Sequence, residues 1–285
     1  TDTFKLIDDR KIQNFNLLLQ KYAKFQKDKF HAFHSSRFRN NVAYFKFDSS
    51  LLDEINKKHQ RAIEGIKDHW NVIDTFSVNW RIIVGLGNPS VYETSMTLHP
   101  VYGIPYIPGS AVKGTVRSWM IQTCFGLDKE AENAAERNEL FKHIFGSQDH
   151  QGKVVFYDVF PQEPPKIEAD IMNVHYPDYY GKDKAPTDYQ NPKPIPFLTV
   201  GEEGQNGKKQ HFKFFFGTKH NRELSTFGDC NVICKPKEPD FAPVSEETTT
   251  ILDLVKAFTS KALTHHGIGA KTAVGYGRMS ETNHK

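Results

Sequence analysis

Two stretches of the chain hold residues whose types and spacing suit the binding of a polyanion. The first is GIPYIPGSAVKGTVRSWM, residues 103–120. Ser110 follows Pro108-Gly109 and is the expected N-cap of a helix. Along it Val112, Val116 and Trp119 fall at i, i+4 and i+7 as an apolar stripe. Ser110, Lys113 and Arg117 form a second stripe, rotated by roughly 100°. A helix N-terminus with free N–H groups and two cations one turn apart makes a seat for phosphate. Gly114 in the helix interior costs roughly 1 kcal/mol relative to alanine, which close approach of another backbone, protein or nucleic acid, would offset. An amphipathic helix with a solvated Lys113 and Arg117 accounts for the same pattern.

The second stretch is HHGIGAKTAVGYGRM, residues 265–279. Gly267, Gly269, Gly275 and Gly277 bracket Lys271, and Arg278 lies just beyond. The fragment GAKT is not a nucleotide-binding P-loop, because Ala270 stands where the pattern needs glycine and a helix rather than a strand lies upstream. A glycine loop after a helix can still cradle a phosphate backbone through its N–H groups, with Lys271 adding charge. A helix C-cap at Gly267 followed by a turn explains one or two of the four glycines.

The elements that must position these stretches follow from periodicity. Residues 1–70 read as largely helical, with Phe15, Leu18, Leu19, Tyr22 and Phe25 near helical spacing, and likewise Leu51, Leu52, Ile55, Ala62, Ile63 and Ile66. The pattern then predicts a strand over 76–84, helices over 110–125 and 131–144, and a β-branched, aromatic strand over 153–161. A long proline-rich insertion, 162–196, carries Tyr176, Tyr179, Tyr180 and Tyr189, as an ordered, contact-making segment would. Strands at 196–200 and 211–217, a helix over 246–264 and a last strand at 274–279 complete the chain. This order is that of an α+β fold, a ferredoxin-like β-α-β-β-α-β core with insertions. The expected division is a helical N-terminal extension, 1–75, and a domain over 76–285.

Composition excludes several classes. No apolar run approaches membrane-span length and no charged-then-apolar leader opens the sequence. Three cysteines are too few for a disulfide scaffold and point to a reducing, cytoplasmic setting. Cys230 and Cys234, with His211 or His220 upstream, do not match a four-ligand zinc spacing, and no nucleotide or flavin fingerprint occurs, so no cofactor is expected. Net charge is only +3, yet residues 1–70 carry 14 Lys+Arg against 9 Asp+Glu. That excess suits nucleic acid and a solvated helical face equally.

The stretch RIIVGLGNPS, residues 81–90, resembles the opening strand and loop of peptidyl-tRNA hydrolases, with Tyr92 and His99 following. The phrase begins at residue 81 instead of near the N-terminus. The Thr-Arg-His-Asn run expected there is Met96-Thr97-Leu98-His99-Pro100, and His99 is expected to have no catalytic duty.

A broader resemblance covers residues 81–279. The segments YGIPYIPGSAVKGTVR, DIMNVHYPDYY, NPKPIPFLTV and GIGAKTAVGYGRM occur here in the order found in RAMP proteins of type III CRISPR-Cas effector complexes. They are most similar to the Cmr-type (III-B) subunit at the head end of the backbone filament. The resemblance implies a ferredoxin-like, RRM-like fold that holds the 3′-proximal backbone of the guide RNA (crRNA) and helps engage complementary target RNA in antiviral defence. It implies other RAMP subunits as partners, with no membrane and no small-molecule substrate. Carried over by position, it implies RNA contacts at Ser110, Lys113, Arg117, Gly267, Gly269, Lys271, Gly275, Gly277 and Arg278. It implies no catalytic residue and no metal. The enzymatic alternative within the family is an endoribonuclease that processes crRNA precursors with His265 or His266 as base.

Overall fold

The computed structural model describes residues 12–21, 25–26, 29–30, 45–90, 92, 94–174, 193–228, 233 and 248–282. The strands labelled here are β1 (Trp70–Val78), β2 (Val154–Phe156), β3 (Pro165–Val174), β4 (Lys193–Gly204), β5 (His211–Thr218) and β6 (Met279–Glu281). The labelled helices are α1 (Ser49–Glu64), α2 (Gly109–Met120), α3 (Ala131–Arg137), α4 (Glu139–Phe145) and α5 (Ile251–Lys261). Four strands form one sheet in the order β2-β5-β1-β6, and every neighbouring pair is antiparallel. β3 and β4 pair with each other as a long antiparallel hairpin.

Register assigns the two sheet faces. Ile73 stands opposite Phe215, and Phe76 opposite Phe212. Alternation therefore sends Phe76, Val78, Phe212, Phe214 and Phe216 to one side, where they are buried with Val112, Val116 and Met120 of α2 and Leu254, Val255 and Phe258 of α5. Phe215 faces the other side and meets His59 of α1 at 5.4 Å between ring centroids. There Leu52 and Ile55 pack with Ile104 and Phe160. The stripe Val112, Val116 and Trp119 read from the sequence is thus buried in the core, whereas on α1 Leu52, Ile55 and Ile63 are buried and Leu51 and Ala62 are exposed.

Helix ends follow local chemistry. Asp48 accepts from the N–H groups of Ser50 and Leu51 and starts α1. Thr250 and Asp253 form a reciprocal capping box that starts α5, worth about 1 kcal/mol. The single helix expected over 131–144 is two, because Asn138 leaves helical geometry and caps α4 by accepting from Phe141 N–H. Both α2 and α5 continue into one wider, π-type turn, Ile121–Phe125 and Ala262–His266.

Several expected bounds shift. The first sheet strand is Trp70–Val78 and not 76–84, so a division at 75/76 falls inside it. Ile82 instead makes an isolated antiparallel bridge to Val200 of the hairpin. The final strand is Met279–Glu281, because Thr272–Val274 form a 3-10 turn. Phe25 belongs to a two-residue strand, Phe25–Gln26, rather than to a helix; Tyr22 lies outside the described residues. The N-terminal segment joins the main core through Phe15, Leu18, Leu19 and Phe45.

The two ends of the insertion pair as a ladder that is regular from Val174↔Lys193 to Ile167↔Val200, with a register shift before Pro165↔Gly204. Tyr176, Tyr179, Tyr180, Tyr189 and Asp178 lie outside the described residues, as do Cys230 and Cys234. No described helix is long and apolar enough to cross a membrane.

Candidate nucleic-acid interface

α2 carries three of the expected side chains, and the structure treats each differently. The N-cap is Pro108, not Ser110. Ser110 lies one residue inside the helix and is exposed. The first helical N–H, that of Gly109, donates to Asp158 Oδ1 at 2.7 Å. A carboxylate of the chain itself therefore holds part of the seat expected for phosphate. Gly109 is obligatory here, since a Cβ would lie 2.1 Å from the Phe156 carbonyl oxygen.

Arg117 is committed inside the chain. Its Nη1 is 2.9 Å from Glu132 Oε1 and its Nη2 is 3.0 Å from Glu136 Oε1, both on α3, and its guanidinium lies 5.5 Å from the Phe141 ring centroid. Lys113, one turn earlier, is half-buried and has no carboxylate partner among the described residues. Burial, and secondarily the Arg117 charge, lower its pKa. Gly114 is exposed, and a Cβ there would meet nothing within 4 Å, so no backbone among the described residues accounts for it.

The glycine loop is built differently. Gly267, Gly269, Gly275 and Gly277 all have positive φ, from +68° to +98°. A Cβ on Gly277 would stand 1.9 Å from the Ile268 carbonyl oxygen, and one on Gly269 would stand 2.2 Å from that of Ile83. Ile268 N–H donates to Gly277 O, Gly277 N–H to Arg81 O, and Ala270 N–H to Ile83 O. These amides tie the loop to itself and to the segment after β1, rather than facing outward as a phosphate cradle. Gly275 alone among the four has open space where a Cβ would go. Lys271 itself adopts φ +60°, the left-handed conformation that side-chain-bearing residues seldom take.

The loop's packing fixes two cations. Lys271 Nζ lies 5.6 Å from the ring centroid of Phe197 on the hairpin. Arg278 is exposed, and its carbonyl accepts from Asn79 N–H at 3.0 Å. Among the described residues neither has a carboxylate within ion-pair distance. Arg278 and Lys261 both lower the pKa of His265, after the larger effect of burial. The His265 ring stacks on Trp119, with centroids 6.0 Å apart and planes 6° apart, which joins the end of α2 to the end of the α5 extension.

A third group was not legible as a site in the sequence. Arg81 donates to Glu168 Oε2 at 2.9 Å and to Asp170 Oδ2, and the Tyr276 hydroxyl donates to the same Asp170 oxygen. Burial alone would raise the Asp170 pKa, but the bonds from Tyr276, the Ile171 N–H and Arg81 hold it below the ordinary carboxylate value. Burial first and Asp170 second push the Tyr276 hydroxyl up to about 12. This cluster pins the hairpin to the glycine loop. Trp80 lies against it, 4.7 Å from Tyr276 between centroids, with the Arg81 guanidinium 5.3 Å away. The signal available was the alternation of Glu168 and Asp170 on one strand face opposite a lone arginine.

The expected contacts therefore fall into three groups. Lys113 sits beside Arg117 on α2, Arg278 near Lys261 and His265, and Lys271 on the hairpin's Phe197. His99 is placed as a turn residue. Its Nδ1 accepts from the N–H groups of Val101 and Tyr102 at 3.3 Å each, and its ring stacks on Tyr102 at 4.4 Å.

The sequence pattern of the RAMP superfamily matches residues 76–280. The Cmr6 subunit of the CRISPR system of Pyrococcus furiosus is 32% identical over 293 residues, which cover 84% of this chain and 73% of that protein. The chain belongs to the RAMP superfamily, and within it to the Cmr6 family. A second Cmr6 subunit, from Saccharolobus solfataricus, is 32% identical over 162 residues, covering 55% of this chain and 50% of that protein. A chain in the cryo-EM structure of the type III-B Cmr-beta complex bound to cognate target RNA superposes with a TM-score of 0.55 at 22% identity. The overlap covers 86% of this chain and 72% of that one, and it speaks to the fold. The RIIVGLGNPS phrase lies inside the RAMP match, so its likeness to peptidyl-tRNA hydrolases is local to that phrase.

Proposed function

We propose that this Cmr6-family chain is a non-catalytic RNA-holding subunit of a type III-B CRISPR-Cas effector ribonucleoprotein in the cytoplasm, acting in antiviral defence. It would position the 3′-proximal crRNA by its phosphates, beside other RAMP subunits, while base pairing reads the target RNA. The order β2-β5-β1-β6, with α2 and α5 on one face, supports reading the core as ferredoxin-like, elaborated by the β3–β4 hairpin. The observation that carries the binding role is charge. Of the four cations expected to meet RNA, Lys113, Lys271 and Arg278 lack a carboxylate partner among the described residues, whereas Arg117 has two. Cations left unmatched in a folded chain are free to replace the counterions of a polyanion.

The test is binding of labelled single-stranded RNA of guide length by the purified chain across a salt series, with the RNA recovered and sized afterwards. Salt-sensitive binding with intact RNA is the expected result. Cleavage would favour the endoribonuclease reading, with His265 as its candidate base: it is exposed, its pKa is lowered, and Lys261 and Arg278 stand near it.

A further inference from the structure

We infer that Trp80 is a stacking platform for an unpaired RNA base, with Lys271 and Arg278 holding the phosphates that flank it. This rests on the RNA-holding function proposed above and assigns to it a residue and a part of the ligand. Trp80 is 44% exposed. With a full aromatic side chain presenting up to about 250 Å², roughly 100 Å² of indole surface faces solvent, comparable to one face of a base.

Its setting separates it from an ordinary exposed tryptophan. Trp80, Tyr276 and Phe197 form a run of rings with centroid separations of 4.7 and 5.8 Å. The bond from Tyr276 to Asp170 holds the middle ring in place, and the Arg81 guanidinium lies near the indole. The platform is thus held before any ligand arrives, which lowers the ordering cost of binding. Lys271 sits over the far ring of the run, and Arg278 pairs through its backbone with Asn79, next to Trp80. Rings beside unmatched cations are the combination that holds single-stranded nucleic acid, since every base has a π-face and every nucleotide a phosphate. Trp70 makes the contrast. It is 63% exposed, and among the described residues it has no ring or cation against it.

The experiment uses the full chain and an oligouridine RNA of guide length, with Trp80→Ala, Trp80→Phe and Trp70→Ala. A second RNA of equal length carries abasic riboses. Trp80→Ala is expected to weaken oligouridine binding by about tenfold, and Trp80→Phe by no more than about threefold, while Trp70→Ala leaves it unchanged. On abasic RNA, Trp80→Ala and the unaltered chain should bind alike. Oligouridine should also quench the fluorescence of the unaltered chain, and Trp80→Phe, which keeps Trp70 and Trp119, should lose most of that quenching.

Wild-type affinity in Trp80→Ala, or an equal loss on abasic RNA, would overturn the platform. If the Lys113→Ala/Lys271→Ala chain lost RNA in the same experiment, the RNA-holding function would survive that result. Normal RNA binding by Trp80→Ala with loss of association to a neighbouring subunit would reassign the surface to protein, also overturning it. No RNA binding by the unaltered chain would overturn both readings.

Discussion

Helix α2 and the glycine loop 267–277 carry the same ingredients, glycine and cations, yet they use them in opposite ways. In the interior of α2 the glycine is open and one cation is consumed: a Cβ on Gly114 would meet nothing within 4 Å, while Arg117 is held by Glu132 and Glu136. In the loop most of the glycine is consumed and the cations are open. Gly269 and Gly277 admit carbonyl oxygens where a Cβ would stand, and Lys271 and Arg278 are left without carboxylate partners among the described residues. A glycine-rich, basic motif therefore need not bind phosphate with its amides. Here the glycines let the backbone lie against Arg81–Ile83, and that packing delivers the cations.

The strongest challenge to this contrast is steric. Gly277→Ala should cost about 3 kcal/mol or more, because the new Cβ meets a carbonyl at a positive φ, and should lower the melting temperature accordingly. Gly275→Ala, with positive φ but open space, should cost only about 1–2 kcal/mol. Equal costs would mean that packing does not distinguish the two glycines.

Next in size is the tether between loop and hairpin. Arg81→Ala leaves Asp170 without its cation and Glu168 with Lys166 alone, 3.2 Å away. It should cost about 2 kcal/mol, less than a fully buried pair because the groups are about a quarter exposed. The Asp170 pKa is lowered in the folded chain, so its contribution is present at neutral pH and lost as pH falls below the ordinary value of 3.8. Denaturant titrations at acid pH should show a shallower loss in Asp170→Asn than in the unaltered chain.

Smaller still, Arg117→Ala should cost about 1 kcal/mol of stability and leave RNA affinity within about twofold. A large loss of RNA with unchanged stability would place Arg117 among the RNA contacts after all. The weakest effect has the opposite sign. Gly114→Ala should stabilise the isolated chain by up to about 1 kcal/mol in thermal melts. If the same substitution weakens RNA binding, an RNA backbone is what approaches that turn.

How much was legible in the sequence depends on whether the signal was local. The stripes of α2 and α5 and the strand His211–Thr218 follow from periodicity, because each buries one face against the sheet. The insertion was legible as a long segment but not as a ladder: the strand expected from Pro196 begins at Lys193, and among the described residues the hairpin that holds Pro194 and Pro196 pairs with no strand other than its partner. Ser110 looked like a cap because of its type, but Asp158, nearly fifty residues away, supplies the oxygen. The ion pairs of Arg117 depend on where α3 docks, which no spacing along α2 reveals. The Trp80–Tyr276–Phe197 run joins three separate segments and becomes visible only when the loop is folded onto them.

The decisive measurement is the salt dependence of RNA binding by the Lys113→Ala/Lys271→Ala chain beside the unaltered one. If these two unmatched lysines displace counterions, the double variant should bind more weakly. The slope of log affinity against log salt should also fall by about 1.4, or roughly 0.7 for each phosphate that is no longer neutralised on single-stranded RNA. An unchanged slope and affinity in a folded double variant would mean that these lysines do not hold RNA.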